Sequence, residues 1–290
     1  MAEAAGTPLP RTVTAARGTV TLRRLGPADV DGLDALYRSL PAQDRYQRFF
    51  TEAGPTRRTL ERYVALLDRP GAGVVAVAGD GSIVAEAGYA RLAGGDGEFG
   101  ITVAAGWRGL GTVLLDAVVA LAAEAGVAGL QADVLAGNRA MLALAAKQGY
   151  ALIHIPDRSV VRLIMGTDGP VPPWPAGTPS PRLLVETPAG QWRGAPAAEA
   201  AGLHVVSCRG PGSPAPGRCP VLDGRPCPLV EGCDAVVVAL PAGDPARPAL
   251  LRAHRRRGKR AMEHGTFGTT DPAAASVKVE ACRPPTPSPF

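Results

Sequence analysis

The stretch Glu98–Leu115, EFGITVAAGWRGLGTVLL, constrains the chain most: an alternating apolar run breaks into a glycine-bearing turn and then opens a helix. Trp107, Arg108, Gly109, Leu110 and Gly111 form that turn. Backbone N–H groups there converge on the helix N-terminus, where the partial positive charge of the macrodipole also lies, and the combination suits an anion such as a phosphate. Glycine matters because a Cβ would hold a ligand away from the backbone.

At 290 residues the chain is long enough for two domains. Hydrophobic residues make up 46% but aromatic residues only 4%, so the cores must be built from Ala, Val and Leu, which suits α/β layers. The opening MAEAAGTPLPRT has no apolar h-region, and the most apolar helix carries Asp116 and Glu124. Neither a signal peptide nor a membrane span is read, and a cytoplasmic location is expected. Most of the net charge of +5 arises in the second half, since residues 19–165 hold fifteen Lys plus Arg against fifteen Asp plus Glu. The basic run Arg252–Arg260 has no interleaved aromatic residues and reads as a solvated helix end, so nucleic acid is not an expected partner.

Residues 1–17, with small residues and two prolines, are expected to be disordered. A strand follows at Val20–Arg23, then helices over 27–40, 42–50 and 56–67, and a hairpin of strands from Val74 and Ile83 about a Gly-Asp-Gly turn. After the opening strand come a helix at 112–125, a strand at Leu130–Leu135, a helix at 139–148 and a strand pair at 150–155 and 160–165.

In this order the chain resembles the GNAT superfamily of acyl-coenzyme A dependent N-acetyltransferases over residues 19–165. The resemblance rests on Thr21-Leu-Arg-Arg, Ser39-Leu-Pro with Asp44-Arg-Tyr-Gln-Arg-Phe-Phe50, Glu98–Val103, Arg108-Gly-Leu-Gly-Thr-Val-Leu-Leu115, Ala132-Asp-Val-Leu with Asn138-Arg-Ala-Met141, and Gln148-Gly-Tyr150. The Arg-Tyr-x-Arg-Phe-Phe segment is most similar to the bacterial protein lysine acetyltransferase branch, whose members modify acyl-CoA synthetases and related enzymes. The fold so implied is α+β, a mixed central sheet with flanking helices, spanning 18–165.

The resemblance also implies a co-substrate, acetyl-CoA or another acyl-CoA, and assigns residues to it. The pyrophosphate would sit on Arg108, Gly109, Leu110, Gly111 and Thr112. The pantetheine arm would pair with the end of the opening strand at Ile101 and Val103, with the N–H near Val103 facing the thioester oxygen, and Asn138 would open the last helix of the site. Glu98 matches the branch's general base. A base or water relay is needed because a lysine of pKa about 10.4 is almost wholly protonated at neutral pH. The implied activity is transfer of an acetyl or short acyl group to a primary amine, with a protein such as an acyl-CoA synthetase as partner.

Two departures from the family pattern stand out. Two residues of the usual turn are missing before Arg108, so the position of the family's Gln or Arg falls on Gly106, and a shortened turn offers fewer backbone donors. Position 145 is Ala where many members carry a tyrosine that protonates the leaving thiolate. The alternative reading is therefore a non-catalytic acyl-CoA-binding or regulatory protein that keeps the fold.

Beyond this domain, residues 166–181 read as a Pro-rich, semi-extended linker, 182–263 as a small parallel α/β domain, and 264–290 as a poorly ordered tail. In the second domain, strands are expected at Leu183–Glu186, Leu203–Ser207 and Asp234–Leu240, helices at 195–201 and 245–257, and no pattern from Gly258 on. Cys208, Cys219, Cys227 and Cys233 have the spacing C-x10-C-x7-C-x5-C, without the close C-x-x-C knuckles of structural metal sites, so no metal is assigned. His204 stands near Cys208 in sequence as a further ligand candidate.

Overall fold

The computed structural model describes residues 8–68, 71–154, 159–169, 171–188, 192–212 and 219–263. The expected tail at 264–290 and the first seven residues lie outside them. The chain divides into two compact units, 1–140 and 141–290.

In the first unit the elements run β1 (Arg11–Ala15), β2 (Gly18–Arg24), α1 (Val30–Ser39), α2 (Ala42–Phe49), α3 (Arg57–Asp68), β3 (Ala72–Ala78), β4 (Ile83–Arg91), β5 (Gly97–Val103), α4 (Leu110–Glu124) and β6 (Gly129–Leu135). Strands lie in the order β1-β2-β3-β4-β5-β6. All neighbours are antiparallel except β5 and β6, which are parallel and joined through α4.

The strand β1 corrects the expectation of disorder over 1–17. Thr12, Val13 and Thr14 are β-branched, and the two-residue connection Ala16–Arg17 lets them pair with β2 from Arg11↔Leu22 to Ala15↔Gly18. One sheet face packs on α1 and α3 through Leu33, Leu36, Tyr37, Leu60, Val64 and Leu67. Against β3, β4 and β5 the unit also packs α4, which buries Leu110, Leu114, Leu115, Val118 and Leu121. At the start of α1, burial opposes ionisation of Asp29, but hydrogen bonds from Arg23 and the Gly26 N–H outweigh it and hold the carboxyl below its ordinary value.

In the second unit, after α5 (Arg139–Lys147), come β7 (Tyr150–His154), β8 (Val160–Gly166), β9 (Arg182–Glu186), α6 (Ala195–Ala200), β10 (His204–Cys208), α7 (Pro228–Glu231), β11 (Ala235–Val238), α8 (Ala246–Arg256) and β12 (Arg260–Glu263). The order is β8-β7-β10-β9-β11-β12, with β10, β9, β11 and β12 mutually parallel and β7 antiparallel to both neighbours. The small parallel sheet expected over 182–263 is thus present. It is extended by the β7–β8 hairpin, which the sequence assigns to the preceding domain. Alternation along β9 builds two layers: Leu183 and Val185 face α6, while Leu184 faces α8, α7 and the cysteine-bearing loop.

Two expectations fail here. Residues 166–181 are not a free linker: Trp174 is buried, its indole N–H donates to the Leu229 carbonyl at 2.8 Å, and the Arg182 guanidinium lies over its ring. The patternless region after Gly258 contains β12, a four-residue edge strand too polar and too short for periodicity to reveal.

Candidate functional site

The site is set by where two parallel strands part. Among the described residues, pairing between β5 and β6 is confined to Gly97↔Leu130 and Glu98↔Gln131, although both strands continue to Val103 and Leu135. Beyond Glu98 this edge of β5 has lost its partner, while the other edge stays paired with β4 as far as Ala85↔Val103. Unpaired strand N–H and C=O groups require another partner. At the carboxyl end of the gap lies the turn 104–109.

Two tight turns make up that connection. The Trp107 N–H donates to the Ala104 carbonyl at 3.2 Å, and the Leu110 N–H to the Trp107 carbonyl at 3.5 Å. Gly106 has φ +87° and Gly109 φ +97°, both in the left-handed region that favours glycine, and a Cβ on Gly109 would meet nothing within 4 Å. Gly109 is the N-cap of α4 and supplies no side-chain cap, so the positive dipole end of the helix lies at this turn with no side chain over it. An open glycine, an uncapped helix end and an unpaired strand edge fit the diphosphate and extended arm of a coenzyme A.

Each residue singled out in the sequence can now be placed. Ile101 and Val103 lie on the unpaired stretch of β5, and both are half-buried. Arg108 and Gly109 are exposed in the turn, while Leu110, Gly111 and Thr112 form the first turn of α4 with Leu110 fully buried. Asn138 follows β6 at the same end of the parallel pair, its N–H bonded to the Leu135 carbonyl at 2.8 Å. Glu98 is exposed, its carboxylate makes no hydrogen bond or ion pair among the described residues, and it marks the last β5–β6 pair. It lies five residues of strand from Val103, about 17 Å. The structure therefore does not bring Glu98 and the Val103 N–H to one carbonyl.

The face of β5 that carries Glu98 also carries Gly100 and Thr102, opposite Ala90, Gly88 and Glu86 of β4. Here sequence reasoning missed a cluster. Glu86 is fully buried; it accepts from Tyr37 at 2.9 Å, Thr102 at 2.8 Å and Tyr63 at 3.0 Å, and pairs with Arg48 at 3.4 Å. The Arg48 guanidinium also donates to Thr102 Oγ1 at 3.1 Å and Tyr63 at 2.8 Å. A Cβ on Gly100 would stand 2.5 Å from Arg48 Nη2, so glycine makes the seat for this arginine. Burial, reinforced by the Glu86 charge, pushes the Tyr37 and Tyr63 hydroxyls up from their ordinary range. The available signal was a single Glu inside the otherwise apolar strand Ile83–Ala90, since a buried carboxylate must find donors. Arg17 was missed too: from the β1–β2 connection its Nη1 donates to the Ala105 carbonyl at 3.4 Å.

The second unit gathers a different set at the carboxyl ends of its parallel strands. Glu186 ends β9 and Cys208 ends β10. Fully buried His254 of α8 brings Nε2 to 3.1 Å from Glu186 Oε2, and its Nδ1 is buried without a partner among the described residues. Burial pushes Cys208 up, Cys219 to about 11 and Cys233 to about 12; the Glu186 charge adds to the first two. Among the described residues, no three His, Cys, Asp or Glu side chains could hold one metal ion. His204 is exposed at the opposite end of β10 from Cys208, so it is not part of this cluster.

Comparison with known proteins agrees with the first unit. Residues 19–151 match the family model of the acetyltransferase (GNAT) domain. The GNAT domain of a Streptomyces lividans PAT aligns at 24% identity and TM-score 0.48, covering 55% of this chain and 99% of that one. A ribosomal-protein-alanine N-acetyltransferase of Brucella melitensis aligns at 25% identity and TM-score 0.41, covering 50% and 96%. The structure of yncA from Salmonella typhimurium with its cofactor acetyl-CoA aligns at 14% identity and TM-score 0.45, covering 56% and 98%. At TM-scores below 0.5 none of these carries detail of the site. Comparison with curated proteins gives no match. Residues 19–151, where two parallel strands part beside a helix with no side-chain cap, thus carry the match to the acetyltransferase (GNAT) domain.

Proposed function

We propose that this protein transfers an acetyl or short acyl group from acyl-CoA to a primary amine, with a protein lysine as acceptor, by direct attack on the thioester. The observation that carries the reading is the parting of β5 from β6 after Glu98, beside the uncapped N-terminus of α4. In this reading the diphosphate lies on Arg108–Thr112, and the arm runs back along β5 past Val103. The thioester carbonyl lies toward the middle of the strand, near Ile101, where an unpaired N–H polarises it as negative charge develops. Val103 then contacts the arm rather than the carbonyl.

This placement brings the reacting carbon toward Glu98, whose exposed carboxylate takes the proton of the incoming ammonium directly or through water. The acceptor approaches over the face that carries Glu98 and Gly100. The amine attacks the carbonyl carbon, the nitrogen of the tetrahedral intermediate gives a second proton to water, the C–S bond breaks with loss of the thiolate, and solvent supplies one proton to sulfur, since Ala145 stands where the resemblance would place a tyrosine hydroxyl. A protein acceptor of the acyl-CoA synthetase type is the partner that the sequence resemblance supports.

The mechanistic check is Glu98→Gln. Loss of a general base lowers turnover by about 10²–10⁴-fold and removes the limb of the pH–rate profile that depends on an ionised carboxylate. An unchanged profile excludes Glu98 as the base. The non-catalytic alternative draws on the shortness of the turn, which spends the Trp107 and Leu110 N–H groups internally; its signature is acyl-CoA binding without turnover.

A further inference from the structure

A turn that consumes its own donors leaves a phosphate cradle incomplete, and the missing groups lie outside the matched residues 19–151. We propose that Arg17, in the β1–β2 connection, is a phosphate ligand for the coenzyme; the assignment rests on the acyl-CoA reading above. The hairpin is fastened to the cofactor turn at two points. The Ala16 N–H donates to the Arg108 carbonyl at 3.4 Å, and Arg17 Nη1 to the Ala105 carbonyl at 3.4 Å. Between them the Arg17 side chain crosses Gly106, where a Cβ would stand 2.8 Å from its Cδ. Gly106 thus has a φ of +87° that favours glycine, and its missing side chain leaves room for this arginine to pass.

Charge explains why the arrangement calls for an anion. Arg17 and Arg108 are both exposed, and neither forms an ion pair among the described residues. They stand at one turn, beside the positive end of α4, where a cation is the wrong sign for the macrodipole. Like charges gathered at a helix N-terminus repel one another and the helix end, and a diphosphate or phosphomonoester relieves all three repulsions at once. Arg17 thereby restores to the shortened turn the donors that the two absent residues would have supplied. Strand β1 acquires a role as well: it holds the arginine over the turn.

The test is calorimetric titration of the full chain with coenzyme A and with dephospho-coenzyme A, comparing wild type, Arg17→Ala, Arg17→Lys and, as a charge control, Arg58→Ala on the exposed face of α3. Arg17→Ala is expected to raise the Kd for coenzyme A about tenfold, with the loss shrinking at high salt. Arg17→Lys should fall between, and Arg58→Ala should match wild type. A loss seen with both ligands assigns Arg17 to the diphosphate; a loss with coenzyme A alone assigns it to the 3′-phosphate. Equal affinity of Arg17→Ala and wild type overturns the proposal and leaves the acyl-CoA reading intact. A wild-type chain that takes up no coenzyme A at about millimolar ligand overturns both. Arg17 is exposed, so an unchanged melting temperature shows that the variant is folded.

Discussion

Glu86 shows what a single buried residue demands. A carboxylate withdrawn from water costs several kcal/mol unless charge and hydrogen bonds replace its solvation. Here Tyr37, Tyr63, Thr102 and Arg48 supply them from three helices and a neighbouring strand. The cluster ties α1, α2 and α3 to the face of β5 on which the proposed chemistry takes place. Replacing Glu86 by Leu leaves Arg48 without its counter-charge and three hydroxyls without an acceptor, and should destabilise the chain by about 3 kcal/mol in urea denaturation. A loss below about 1 kcal/mol would show that the cluster is not held by charge. In the sequence, Arg48 was visible as part of Arg-Tyr-x-Arg-Phe-Phe, but its partner was not. Glu86 lies 38 positions away, and no local pattern links a helix to a strand across that distance.

At the scale of elements, what could be read were the runs long enough to show a period. The helices α1, α3 and α4 and the strands β3 to β6 follow from apolar spacing and turn glycines, and the turn 104–109 follows from its glycines. The parting of β5 from β6 was not legible, because it is a property of pairing between strands and not of either strand alone. For the same reason β1 and β12 escaped: each is short and polar, and each is held by a partner distant in sequence or by a hairpin too tight to announce itself.

The cysteine-bearing loop is an element whose chemistry depends on burial rather than spacing. Burial raises the Cys219 and Cys233 thiols to about 11 and 12 in the folded state, against about 8.5 for a free thiol. A raised folded-state value means that the folded chain keeps protons which the unfolded chain releases. The stabilisation is fully present below the unfolded value, near pH 8.5, and is lost as pH rises toward the folded values. Unfolding free energy should therefore fall between about pH 8.5 and 11, by about 2 kcal/mol per thiol at pH 10. Denaturation of wild type and Cys219→Ser at pH 8 and pH 10 checks this: the variant should decline less steeply, and an equal decline would remove Cys219 from the account.

For the molecule as a whole, composition indicated α/β layers built from small aliphatic residues, and both units are so built. The boundary between them was harder to read. Resemblance extends one domain to 165, whereas β7 and β8 pair into the sheet of the second unit and Trp174 fastens the proline-rich stretch to its core. Proline content reports stiffness, not whether a buried tryptophan anchors the segment. No helix of the described residues is long and apolar enough to cross a membrane. In the proposed reading the first unit carries the site: the edge of β5 that β6 leaves unpaired, the turn before α4, and a carboxylate at the far end of one strand.

That site makes one demand on the chemistry, and release of free coenzyme A thiol measures it directly. The full chain is supplied with about 1 mM acetyl-CoA and a lysine-bearing peptide, beside the same peptide with its amines blocked. The outcome expected here is thiol release that requires the free amine, matched one for one by acetylated peptide. Acetyl-CoA that binds to saturation yet releases no thiol above the blocked-peptide control, across a panel of amine acceptors, would contradict acyl transfer and leave a coenzyme-binding domain without turnover.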